Sequence, residues 1–221
     1  MKTMTPVLPV SGGGRPVVGF SLIELVIVIV ILGILAVTAL PRFLDVTDEA
    51  KQASVEGVAG GFATAVSLVR AQWEAKGRAN QDNLNNVLYD GSLFYLTTPT
   101  DSQIDKGDMS PGYPMDTAAS RVPDVDPANL TADRCLNIWQ GLLQNPPKAT
   151  ASFNTVRESG NDLKFYVTAS RNGLDSRCCY YLINSLSKGR DGKYQDPQGS
   201  TDAFMSFSYR PASGQVTTNI N

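Results

Sequence analysis

Two hydrophobic patterns follow one another along the first third of the chain. From Phe20 to Leu40, 21 residues carry a single formal charge, Glu24. At about 1.5 Å rise per residue, such a run covers roughly 30 Å as a helix, enough for the core of a bilayer. After Pro41 the pattern changes register. Val55, Val58, Ala59, Phe62, Ala65, Val66, Val69 and Trp73 recur at i, i+3, i+4 spacing, while Lys51, Gln52, Glu56, Thr64 and Arg70 fall largely off that stripe. This predicts one amphipathic helix rather than a second span. Gly77, with Arg78-Ala79-Asn80 after it, reads as the helix stop.

Further along, the apolar runs shorten and turn residues separate them. A short strand is expected at Leu93–Leu96. The stretch "DKGDMSPGYPMDTAASRVPDVDPANL" reads as loop, punctuated by Pro and Gly. Its aspartates (Asp105, Asp108, Asp116, Asp124, Asp126) could gather a calcium ion, but their spacing matches no EF-hand loop. A solvated acidic loop is the preferred reading. Asp133 to Gln144 suits a short helix stopped by Pro146-Pro147. Strands are expected at Leu163–Ser170, Cys178–Asn184 and Ala203–Arg210, the first two joined by a turn at Asn172-Gly173. A long helix followed by an antiparallel sheet must pack the Val55–Trp73 stripe against that sheet to bury either face, so the fold class is α+β.

Composition narrows the chemistry. The chain contains no histidine, which excludes Ser-His-Asp and Cys-His catalysis and histidine metal sites. Lys and Arg together number 19 against 21 Asp and Glu. A nucleic-acid-binding surface would want a basic excess, so no nucleic-acid partner is expected. No catalytic constellation, cofactor motif or metal-ligand set emerges, and the chain is read as a non-enzyme. The cysteines are Cys135, Cys178 and Cys179, without CxxC spacing. A bridge from Cys135 to one of the pair requires an oxidising compartment. Strand alternation places Cys179, Tyr181 and Ile183 on one face and Cys178, Tyr180 and Leu182 on the other. Both faces are apolar, so periodicity leaves the choice open.

Glu24 is the anomaly. A carboxylate inside a membrane span costs on the order of 2.5–3.5 kcal/mol at the helix centre and less near the interface. Residues 1–19 carry Lys2 and Arg15 and no acid, which favours a cytoplasmic N-terminus with everything after Pro41 sent across the membrane. No basic residue lies within the span to pair with Glu24, so its partner must come from another chain, from a lipid headgroup or from a newly made positive charge. A cut between Gly19 and Phe20 would create a positive α-amine at the head of the helix, and that amine could reach the Glu24 of a neighbouring copy. Such pairing would set the axial stagger of identical helices.

Gly19-Phe20-Ser21-Leu22-Ile23-Glu24, with Gly33 and Pro41 following in the apolar run, resembles the class III signal of type IV pilins. The resemblance covers about the first fifty residues. "RFLDVTDEAKQASVEGVAGGFATAVSLV" and "ADRCLNIWQGLLQNPP" resemble, more narrowly, pilins of the mannose-sensitive haemagglutinin type. It implies the type IV pilin fold, in which a long N-terminal helix spans the membrane with its first half and packs on an antiparallel sheet with its second. A prepilin peptidase would cut after Gly19 and methylate the nitrogen of Phe20. Glu24 would guide assembly, and Gly33 and Pro41 would let the helix bend or stretch in the filament. By resemblance to a Cys-Tyr-Tyr pattern, the bridge is expected as Cys135–Cys179, with Cys178 the other option.

The implied organisation is a leader at 1–19, a transmembrane and filament-core helix at 20–43, its amphipathic continuation at 44–77 and a globular head at 78–221. Other pilin subunits, the prepilin peptidase, the pilus assembly machinery and the inner membrane are the implied partners. The head would lie in the periplasm before assembly and outside the cell afterwards, in a filament for attachment. A type II secretion pseudopilin shares the N-terminal motif, and a membrane-anchored periplasmic binding module is the remaining alternative. The leader is longer than is usual for the family, so translation could begin at Met4 or elsewhere. Neither the receptor nor a major or minor role is legible.

Overall fold

The computed structural model describes residues 19–120, 122–158, 162–198 and 204–220, without the side chains of residues 40–45. The chain divides between Thr47 and Asp48 into two compact units. The long helix α1 (Leu22–Ala75) contributes to both, and its helical assignment continues through position 41. The bend expected at Pro41 concerns a side chain outside the described residues, as does most of the leader.

In the first unit, the residues from Leu22 to Ala39 have a mean hydropathy of 3.0 and none is buried. In the second unit, α1 behaves as a core helix. Val55, Ala59, Phe62, Ala65, Val66, Val69 and Trp73 are all buried, and Val58 packs at the margin. The expected stripe is therefore the buried face. The helix ends at Ala75, and Gly77 (φ 73°) and Arg78 (φ 60°) turn the chain through the left-handed region.

Two sheets follow. The first runs β1 (Asn80–Gln81), β2 (Leu84–Tyr89), β3 (Ser92–Leu96) and β4 (Pro114–Thr117), antiparallel throughout. β2 and β3 are joined by Asp90-Gly91, both at positive φ (45° and 79°), with Tyr89 opposite Ser92. This two-residue hairpin requires left-handed backbone at both positions, which Asp-Gly supplies at low cost. β4 corrects the reading of its segment as loop. All four of its residues are buried, including the polar Asp116 and Thr117, so alternation could not reveal it.

The short helix α2 (Asp101–Asp105) lies between β3 and β4, and α3 (Ala132–Leu142) follows them. α3 is capped by the Thr131 hydroxyl, which accepts from the Arg134 N–H at 3.3 Å. The second sheet has the order β5 (Ala149–Thr150), β6 (Phe165–Ser170), β7 (Arg177–Leu182), β8 (Ser206–Arg210) and β9 (Gln215–Asn219). Helix α4 (Phe153–Glu158) connects β5 to β6. Only the β5–β6 pair is parallel. Asn172-Gly173 falls in the connection between β6 and β7, as expected, with Gly173 at φ 54°.

The core is built where α1, α3 and this sheet meet. The Phe62 ring lies 5.2 Å from Tyr180, 5.5 Å from Phe207 and 5.4 Å from Tyr209, centroid to centroid. Trp139 of α3 stacks on Tyr180 at 5.2 Å. The Tyr209 hydroxyl donates to the Pro114 carbonyl at 2.8 Å, tying β8 to β4. Gly214 (φ 71°) passes so close to the Tyr113 ring that a Cβ would lie 2.1 Å from it. Only glycine fits there.

Alternation along β7 now acquires a meaning. Cys178, Tyr180 and Leu182 face the core shared with α1 and α3, whereas Cys179, Tyr181 and Ile183 face a smaller apolar cluster with Val156 of α4. Cys135 lies on α3, on the first side. The disulfide is therefore Cys135–Cys178, with Cα atoms 5.4 Å apart, and the expected Cys135–Cys179 pairing is corrected. Cys179 is a free, buried thiol.

Candidate functional site: the exposed apolar helix and its N-terminus

The head of α1 assembles from the residues that stood out in the sequence. Phe20 precedes the helix and is 86% exposed. The Ser21 N–H donates to Glu24 Oε2 at 2.8 Å, and the Glu24 N–H donates to Ser21 Oγ at 3.2 Å. The Leu25 N–H reaches the Ser21 carbonyl at 3.3 Å. This is a reciprocal capping box, in which two otherwise orphaned N–H groups find partners in side chains three residues apart. A carboxylate in the first turn also complements the helix dipole. This local partner for Glu24 goes beyond the pairing outside its own chain expected from the sequence, although Ser-x-x-Glu before an apolar run is its signature. The box uses one carboxylate oxygen. Glu24 Oε1 has no hydrogen bond among the described residues, so the acid retains an acceptor for an external donor.

Below this cap, α1 presents aliphatic surface on every side. Ile29, Val30, Gly33, Ile34, Val37 and Thr38 frame a shallow cleft of about 490 Å³. Gly33 is its low point, with nothing within 4 Å of where a Cβ would stand. The Thr38 hydroxyl donates to its own helix, to the Leu35 carbonyl at 3.0 Å and the Ile34 carbonyl at 3.4 Å, so it offers the cleft its methyl face. A small residue beside bulky ones lets another helix approach closely.

The head carries a buried charged pin. Asp116, fully buried, accepts from Arg134 Nε at 3.0 Å, from the Thr117 N–H at 2.8 Å and from the Ser120 hydroxyl. Arg134 also donates to the Asn129 carbonyl at 2.7 Å and lies 3.6 Å from Asp124. The reading as a solvated loop fits Asp105, Asp108 and Asp126, which are exposed, but is corrected for Asp116, an interior anchor for the segment between β4 and α3. No group of three Asp, Glu, Cys or His side chains stands close enough to hold a metal ion among the described residues. Burial pushes the Cys179 thiol above its ordinary pKa, which suppresses the reactive thiolate.

Comparison with known proteins adds one relative. Over 59 residues the chain is 52% identical to the type IV narrow pilus major component PilA5 of Thermus thermophilus. The chain is similar to a type IV pilin. The match takes in 27% of this chain and 49% of the relative, so it spans about half the length of that protein. No family model matches the chain. No solved structure matches it either. The architecture above, a long apolar N-terminal helix with an antiparallel sheet, is consistent with the type IV pilin fold.

Proposed function

We propose that this chain is a type IV pilin subunit, of the mannose-sensitive haemagglutinin type, that polymerises through its apolar helix into a surface filament for attachment. The observation that carries this reading is the residues from Leu22 to Ala39, with a mean hydropathy of 3.0 and no residue buried, in a chain similar to a pilus component. Aliphatic surface of that extent is unfavourable in water, and only lipid or other apolar helices can cover it. The precursor would hold it in the inner membrane with the head in the periplasm, and the filament would cover it with neighbouring copies.

Cleavage after Gly19 and methylation of the Phe20 nitrogen would place a cation at the head of each helix. That cation would meet the Glu24 of an adjoining subunit at Oε1, while Oε2 keeps its bond to Ser21. A charged pair is far better tolerated in oil than either ion alone, so the pairing would select one stagger among many that apolar packing allows equally. The role is structural and requires no catalysis or cofactor.

Mass spectrometry of the protein from cells tests this directly. A mature chain beginning at methylated Phe20 is expected, recovered from sheared surface filaments. A chain that retains its residues before Phe20 and stays in the membrane fraction would overturn the proposal.

A further inference from the structure

A pocket of about 430 Å³ opens in the head between α4, the start of β6 and the loop that follows β7. Its volume lies within the range of small-ligand sites. Backbone bonds hold the part of this loop from Ser187 to Gln195. The Gln195 N–H donates to the Ser187 carbonyl at 2.8 Å and the Gly189 N–H to the Lys193 carbonyl at 2.9 Å, with Gly192 at φ 73°. Arg157 of α4 lies 3.5 Å from Asp191, which ties the helix to the loop.

The lining carries four cations, Arg157, Lys164, Lys188 and Lys193, against one acid, Glu158. In a chain with a net charge of −2, that is a local inversion of sign. Arg157 is partnered by Asp191, but none of the three lysines has a carboxylate within 4 Å among the described residues. Lys188 instead rests over the Tyr194 ring, 4.7 Å from its centroid. Val156 and Ile183 form an apolar floor, and Asn184 stands beside it.

We propose that this pocket binds an acidic sugar unit, a pyranose bearing a carboxylate, as presented by an acidic polysaccharide. The lysines match the carboxylate. The floor and the edge of Tyr194 match the C–H face of a sugar ring, and Glu158 and Asn184 supply acceptors for its hydroxyls. A polyphosphate fits worse, because it brings neither hydroxyl donors for Glu158 and Asn184 nor a C–H face for the apolar floor. The site is independent of the filament reading and stands or falls separately.

The test is calorimetric titration of the full chain in non-ionic detergent at low salt, with trigalacturonate, its methyl ester and inorganic phosphate as probes. Trigalacturonate is expected to bind, and the neutral methyl ester about tenfold more weakly. The double variant Lys164→Gln/Lys193→Gln should lose about tenfold in affinity, while Lys164→Arg/Lys193→Arg and the remote Lys106→Gln keep it. All these lysines are exposed, so an unchanged melting temperature verifies the fold. Absence of binding, equal affinity for the ester, or a Lys106→Gln effect as large as that of the double variant would overturn the site. Phosphate binding as tightly as trigalacturonate would reduce it to a bare anion hole and overturn the sugar assignment.

Discussion

Asp116 bears a heavy constraint for a single side chain. It is fully buried and accepts from Arg134, the Thr117 backbone and Ser120. Removing one member of a buried ion pair leaves the other uncompensated, so Asp116→Ala should destabilise the head by about 3 kcal/mol, read by thermal denaturation. Cys179 makes a second prediction at this scale. Its buried thiol is held in the neutral form, and Cys135 and Cys178 are bridged. Iodoacetamide at mildly alkaline pH should leave the folded protein unlabelled. Adding denaturant without reductant should give one label, located on Cys179 by peptide mapping. Neither residue's state was legible beforehand. Asp116 reads as a loop aspartate until Arg134, 18 residues away, is folded against it, and adjacent cysteines on one strand look alike until the sheet has an inside.

Among the elements, α1 divides its labour along its length. The stretch from Val55 to Trp73 was readable because the sheet covers one helix face and leaves the other wet, which imposes the helical period on the sequence. The Phe20–Leu40 stretch was readable because no face of it meets water favourably. The β2–β3 hairpin carries its own local signal, since Asp-Gly between two apolar runs is a strong hairpin turn. The capping box gives the helix start its own test. Ser21→Ala removes the cap and should cost the helix about 1 kcal/mol, leaving filament yield near normal. Glu24→Ala also removes the acid available to a neighbour, and filament yield should fall steeply, as measured by shearing and immunoblot. Equal yields from the two variants would assign Glu24 to capping alone.

For the molecule as a whole, the Cys135–Cys178 bridge joins α3 to the centre of the second sheet across 43 residues. In the chain-entropy model a loop of that length contributes about 4 kcal/mol. The double variant Cys135→Ala/Cys178→Ala should therefore melt roughly 8–16 °C lower. Cys179→Ala should shift the melting temperature much less. What the sequence by itself determined was everything set by local period and local chemistry: the apolar helix and its lone acid, the amphipathic stripe and the principal strands of the second sheet. Those features follow from which residues can share a face with near neighbours. Only the tertiary structure decided the disulfide partner, the burial of Asp116, the strand at Pro114–Thr117 and the gathering of Lys164, Lys188 and Lys193 around one pocket. Each of these depends on which side of a sheet faces the core, or on residues brought together by folding, and no periodicity along the chain encodes that.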